Sequence, residues 1–447
     1  MRRLLSCACL VLAPLAVGAG QVVPKIPIES YRLGNGLRVI LSPDHSSQVV
    51  TVSVWYNAGS RNEVRGRTGF AHLFEHMMFQ GSANLKKGDH FALVERAGGQ
   101  TNASTAEDRT NYFEMLPSNR LNLGLWLEAD RMRSLAVTDS NLANQREAVK
   151  EERRLRVENQ PYTAVLFEGI YALQDSTNCF PYAHSVIGSM ADLNAAKTED
   201  VKAFFDLYYT PNNATLVVAG DFEPAEAKAL ITQYFGAIPR GAAPPPVECR
   251  ARFNSGMIRR PWPDPKATLP GTFVAFRIPA YDDADYPAVA LLGTMLGQGE
   301  SSRLNRIVVR QKQLAQAAFA FVNAQAPTRG PGVMLIATIA NQGVSADALE
   351  RAMADQIDDV AKNGVSAAEL EKAKNGYLAT KIQQQQISLF LAEAIQEATM
   401  FLGDPNQVNT DPSRYLAVTV NDIRRVAAKY LVPDNSLVLL VTPEGAK

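Results

Sequence analysis

Val50, Val52, Val54 and Tyr56 alternate with Thr51, Ser53 and Trp55, the period-two pattern of a strand that buries one face. Phe273 to Ile278 form a corresponding extended run later in the chain. In GRTGFAHLFEHMMFQG, apolar residues at helical spacing and the absence of Pro predict a helix after Gly69. Asn144 to Arg154 (NQREAVKEERR) reads as another helix, rich in carboxylates.

The pattern occurs twice. Val201 to Asn213 (VKAFFDLYYTPNN) aligns without a gap to Ile423 to Asn435 (IRRVAAKYLVPDN), pairing Tyr208 with Tyr430, Pro211 with Pro433 and Asn213 with Asn435. An apolar strand follows each copy, ATLVVAG and then SLVLLVT. His72 to Ser82 matches Ala290 to Glu300 at nearly the same offset, sharing Met77 with Met295 and Gly81 with Gly299. A repeat of about 220 residues is too long for a solenoid unit and implies two similar domains in tandem. The expected fold is α+β: two homologous α/β-sandwich domains, each a mainly antiparallel sheet packed with helices. PRGAAPPP at Pro239 to Pro246 cannot continue a helix and suits a linker. The expected division is 21–240, a linker over 241–262, and 263–447.

Composition narrows the function classes. Lys plus Arg number 45 and Asp plus Glu number 45, so no net field attracts nucleic acid. Residues 1–20 open with Arg2 and Arg3, run through an apolar stretch and end in Gly18, Ala19 and Gly20, the parts of a secretory signal. The mature chain is therefore expected outside the cytoplasm, in the periplasm, with no membrane span. Beyond that stretch stand only Cys179 and Cys249. An oxidising compartment permits them to pair, but two cysteines make no framework, and they are read as structural or incidental.

His72, Glu75 and His76 form H-x-x-E-H. On a helix, positions i and i+4 lie one above the other, so both imidazoles can reach one ion. Glu75 lies near the same face, placed to take a proton from water. Two imidazoles and a carboxylate suit zinc, and a catalytic zinc keeps one position for water. The third ligand is sought in Asn144 to Arg154, where local chemistry leaves Glu147, Glu151 and Glu152 open. The second copy carries Ala290, Gly293 and Thr294 at the aligned positions. The scaffold therefore does not need these polar residues, and the first half alone carries the chemistry.

With these residues in hand, the chain resembles the M16, or pitrilysin, metallopeptidases, in the branch of mitochondrial processing peptidase and bacterial two-domain members. In that family the third ligand is a Glu about 76 positions after the second His, which here is Glu152. The resemblance implies a single zinc ion on His72, His76 and Glu152, with Glu75 activating water for hydrolysis of peptides or unfolded segments. It also implies that Gly98, Gly99, Asn102 and Ala103 (GGQTNA) belong to an edge strand that receives substrate as an added strand. Two departures stand out. Members often carry a Glu seven residues before the third ligand, where this chain has Gln145. They also complete the site with an Arg and a Tyr seven positions apart; Arg310 is present, but Gln316 or Ala317 stands where the Tyr would be. The expectation is therefore a catalytic subunit with a homologous partner supplying the Arg and Tyr. The competing expectation is a non-catalytic structural or assembly subunit of the same fold.

His184, in FPYAHSVIG, is expected to be structural, and His45 and His90 to be solvent-exposed. Gln383 to Gln386 reads as a polar helix face, and GQGESS near Gly297 lacks the residues of a phosphate loop.

Overall fold

The β-branched run from Val49 to Tyr56 forms the third of six strands in the first half: β1 (Glu29–Arg32), β2 (Arg38–Pro43), β3 (Val49–Tyr56), β4 (Gln100–Thr105), β5 (Thr110–Pro117) and β6 (Ala214–Gly220). These belong to a computed structural model that describes residues 25–323 and 326–443; the expected signal at 1–20 lies outside them. The strand order is β1-β2-β6-β3-β5-β4, antiparallel except for the β2–β6 pair, which leaves β4 at an edge. The second half repeats the plan with β7 (Ile258–Asp264), β8 (Gly271–Ile278), β9 (Ala315–Val322), β10 (Gly332–Ala340) and β11 (Ser436–Pro443), in the order β7-β11-β8-β10-β9. The fold is α+β, two mainly antiparallel sheets each packed with helices.

The duplication is physical as well as textual. Both aligned segments form a helix (Thr198–Tyr208 and Val420–Tyr430), a short 3-10 turn and a closing strand. Asn213 and Asn435 each donate from Nδ2 to the last helical carbonyl, of Tyr208 and Tyr430, at 2.8 Å. These bonds satisfy acceptors that every helix end leaves open. The linker expected over 241–262 is shorter at its far end, because Ile258 to Pro263 already pair in parallel with β11.

Four helices of the first half contribute residues to the site, α1 (Phe70–Met77), α2 (Asp89–Arg96), α4 (Asp139–Arg153) and α5 (Thr163–Phe167), while α3 (Leu121–Ser134) packs on β3 and β5. α1 presents Phe70, Leu73, Phe74 and Met77 to the core under β3 and β5. α4 starts on Thr138, whose side chain accepts from the Asn141 amide, a helix start of ordinary kind.

β3 departs from expectation, since it is buried on both faces. The helix Ser388–Phe401 of the second half covers the side bearing Thr51, Ser53 and Trp55. Ser388 Oγ lies 2.8 Å from Thr51 Oγ1, and Gln396 Nε2 donates to the carbonyls of Ser53 (3.2 Å) and Thr215 (2.9 Å). Leu391, Ala392 and Ile395 pack there on Ile40, Val217 and Ala219. The cover is returned: Val165 of α5, with Ile170 and Leu173 just beyond it, packs on Phe273, Leu335 and Leu439 of the second sheet. Each half thus supplies the helix that closes the other's sheet.

Cys179 and Cys249 form a disulfide that ties the interdomain segment to the first half, so the cysteines are a structural pair. His90 is corrected too: it is buried, with Nε2 2.9 Å from Glu114 Oε1. The preceding residues, KKGD, suggest an exposed turn, but α2 lays it against a buried network in which Arg131 also holds Glu114. Burial, with Arg131 nearby, pushes this imidazole down to about 3, so it is neutral. His45 is exposed, 2.7 Å from Asp221 Oδ1. No helix of the described residues is long and apolar enough to cross a membrane.

Candidate metal centre

Gly69 precedes α1 at φ +85°, a conformation that favours glycine. The Glu63 carboxylate accepts from the amides of Gly69 (2.8 Å) and Ala71 (2.7 Å), closing the open donors of the first turn. With its apolar face buried, α1 turns His72, Glu75 and His76 toward a cleft of about 510 Å³. α4 approaches with Gln145, Val149 and Glu152, spaced i, i+4, i+7 on its inner face.

Glu152 Oε2 lies 3.2 Å from His76 Nε2 and 3.7 Å from His72 Nε2. The three donor atoms lie within 4.8 Å of one another. Bonds of about 2.0–2.1 Å arranged tetrahedrally separate donors by about 3.3 Å, so the two histidine–glutamate distances are close to those of a zinc site, and the widest separation would close on binding the ion. Glu147 and Glu151 turn outward to Lys150 and Arg154. The other Glu152 oxygen forms an ion pair with Arg156 at 3.0 Å. His76 Nδ1 is 3.3 Å from Gln145 Oε1, whereas the buried Nδ1 of His72 has no hydrogen-bond partner among the described residues.

The electrostatics prepare these donors. Burial, then the neighbouring His76, pushes His72 down to about 4, while the hydrogen bond from His76 foremost holds Glu152 at about 2. A neutral imidazole and a carboxylate anion are the forms a cation binds. For His76, burial works to lower the pKa, but the Glu152 hydrogen bond and nearby carboxylates raise it overall. Burial raises Glu75, opposed by the 2.6 Å hydrogen bond that Thr105 Oγ1 donates to its Oε2.

Asn102 and Ala103 lie on edge strand β4 and line the cleft, and the Ala103 amide is met by Asn102 Oδ1 at 2.9 Å. Gly98 and Gly99 make the turn between α2 and β4. Phe79, Phe91 and Phe167 give the cleft an apolar wall. Among the described residues, every one lining it belongs to the first half. Arg310 is not brought there: it is 55% exposed and pairs with Glu300. Gln316 and Ala317 lie on β9, also away from the cleft lining. His184 stands behind α1, 3.5 Å from Glu63, and is no part of the donor cluster.

Sequence reasoning did not find Thr105, Arg156 or Glu63. Arg156 follows Glu152 at i+4, a helical ion-pair spacing that could have revealed it. Thr105 is 30 residues from Glu75 and carries no such signal.

Two sheet-and-helix halves, with a His–His–Glu cluster over a cleft of the first half only, have the layout of a duplicated metallopeptidase scaffold. The chain belongs to the M16 peptidase family: residues 38–186 match the model described as insulinase (peptidase family M16), and residues 195–377 the one described as peptidase M16 inactive domain. It is 31% identical over 450 residues to the zinc protease PqqE of Helicobacter pylori, covering 99% of both chains. A crystal structure of a protease from Helicobacter pylori superposes with a TM-score of 0.88 at 29% identity, covering 94% of this chain and 100% of that one. Mitochondrial-processing peptidase subunit beta of Blastocladiella emersonii is 25% identical over 449 residues, 95% of this chain and 90% of its own.

Proposed function

We propose that this chain is a zinc-dependent endopeptidase of peptides and unfolded segments, with one zinc on His72, His76 and Glu152 and with Glu75 as general base. The observation that carries the reading is the convergence of three donors within 4.8 Å beside a half-buried carboxylate, in a cleft bordered by an edge strand. When bound, zinc supplies a Lewis acid that polarises a carbonyl and brings the pKa of water to about 7. Glu75, its pKa raised by burial and its Oε2 oriented by Thr105, takes the proton from the attacking water and hands it to the leaving amine. Substrate lies extended along β4 at Asn102 and Ala103, where main-chain pairing reads backbone rather than side chains.

The same reading makes the chain the catalytic subunit of a pair. Its cleft is lined by the first half alone, Arg310 is turned away, and no Tyr follows at the family's spacing. A homologous partner supplies the Arg and Tyr, and the relative named as a subunit of a processing peptidase supports such pairing. The disulfide supports export to an oxidising compartment, the periplasm.

Zinc content and peptide cleavage of the parent and of Glu75→Gln, each alone and with any co-purifying homologous subunit, test the reading. The parent should bind one zinc and cleave best with its partner, and the variant should keep zinc while losing roughly 100-fold or more in turnover. A parent without zinc, or a variant as active as the parent, contradicts it.

A further inference from the structure

A short segment, His184 to Ser189, separates the metal cleft from a second cavity of about 610 Å³. Val186 and Ile187 face the cleft, while His184 and Gly188 face the second cavity. On one side this wall is locked to the start of α1. Gly188, at φ +71°, has its backbone against Gly69 so closely that a Cβ there would lie 2.4 Å from Gly69 Cα. The Ser189 amide donates to Thr68 Oγ1 at 3.2 Å, and Thr68 in turn donates its amide to Asp192 at 3.0 Å.

On the other side the wall is locked to α4 by one side chain. Arg153, the residue after Glu152, donates from its NH1 group to the Gly188 carbonyl at 2.8 Å. The guanidinium is itself held by Glu158 at 3.2 Å and by Glu168, and is 11% exposed. A planar fork holds a carbonyl and two carboxylates in fixed directions, whereas the three donors of an ammonium sit on one freely rotating atom and fix no such geometry.

We infer that Arg153 is a positioning residue for the metal centre: through Gly188 it sets the separation between the helix that carries Glu152 and the helix that carries His72 and His76. The inference rests on reading those three residues as zinc ligands. Arg153 does not line the cleft, so it acts on the donors only by placing their backbones.

The test is zinc affinity by chelator competition on the full chain, for the parent, Arg153→Gln, Arg153→Lys and Glu158→Gln, with circular dichroism verifying the fold. Arg153→Gln should weaken zinc binding about 10- to 100-fold, the range for groups that orient metal ligands. Arg153→Lys should fall between it and the parent, and Glu158→Gln, which leaves the Gly188 contact intact, should stay within about threefold. The cobalt-loaded proteins should show shifted visible bands in the same order. If Arg153→Gln does not fold, Arg153→Lys decides alone: a folded Lys variant with parental affinity and bands overturns the inference. Parental affinity in a folded Arg153→Gln variant, or an equal loss in Glu158→Gln, also overturns it. A parent that binds no zinc overturns the ligand reading and this inference together, whereas a zinc-binding parent with unaffected variants overturns the inference alone.

Discussion

Gln145 Oε1 stands 3.3 Å from Nδ1 of His76, so a neutral amide orients the imidazole whose other nitrogen faces Glu152. An acceptor at this position fixes the ring and its tautomer and makes the opposite nitrogen a better donor. The amide gives this orientation without a further buried charge. Gln145→Leu keeps the volume and removes the acceptor. Zinc affinity should fall about 10- to 100-fold, measured by chelator competition, with thermal stability of the zinc-free protein little changed; unchanged affinity would remove Gln145 from the account.

The exchange of covering helices should make the two halves unfold together. Ile395 belongs to the second half yet is buried against Ile40 and Val217 of the first sheet. Ile395→Ala should cost about 2–5 kcal/mol and shift a single calorimetric transition of the whole chain to lower temperature. Two resolved transitions, only one of them shifted, would show that the halves unfold independently.

How much of this could be read from the chain depends on the range of the interaction. H-x-x-E-H on a helix after Gly69 is local: the spacing sets which face each residue occupies, and the structure places the helix at Phe70–Met77. The three glutamates of α4 are equivalent in composition, and only packing against α1 turns Glu152 inward while Glu147 and Glu151 remain with solvent. The alternation in β3 signalled a polar face, but Thr51 and Ser53 are buried because a helix more than 330 residues away covers them, with Ser388 on the Thr51 hydroxyl and Gln396 on the Ser53 carbonyl. His90 misled in the same way, since its partner Glu114 lies on another element. Contacts between distant elements leave no periodic trace.

Acid should destabilise the zinc-free protein through its buried neutral histidines. Burial foremost lowers His90 to about 3 and His184 to about 4, whereas in the unfolded chain each titrates near 6.5. Between these values the unfolded chain holds more protons, so the stability these two histidines contribute is full above pH 6.5 and falls as pH drops toward 4. The slope is about 1.4 kcal/mol per pH unit for each histidine. Urea unfolding at pH 6.5, 5.5 and 4.5 should show this decline, and His90→Gln should flatten it by one histidine's share. Identical profiles for parent and variant would contradict the neutral, buried assignment.

The central claim is that one divalent ion joins two imidazoles of one helical turn to a carboxylate of α4. Diffraction from crystals of the zinc-loaded protein, collected on both sides of the zinc absorption edge, tests it most directly. The account predicts a single strong anomalous peak in the first half, about 2 Å from His72 Nε2, His76 Nε2 and a Glu152 oxygen, and no peak in the second half. A peak elsewhere, or none between those three side chains at saturating zinc, would contradict it.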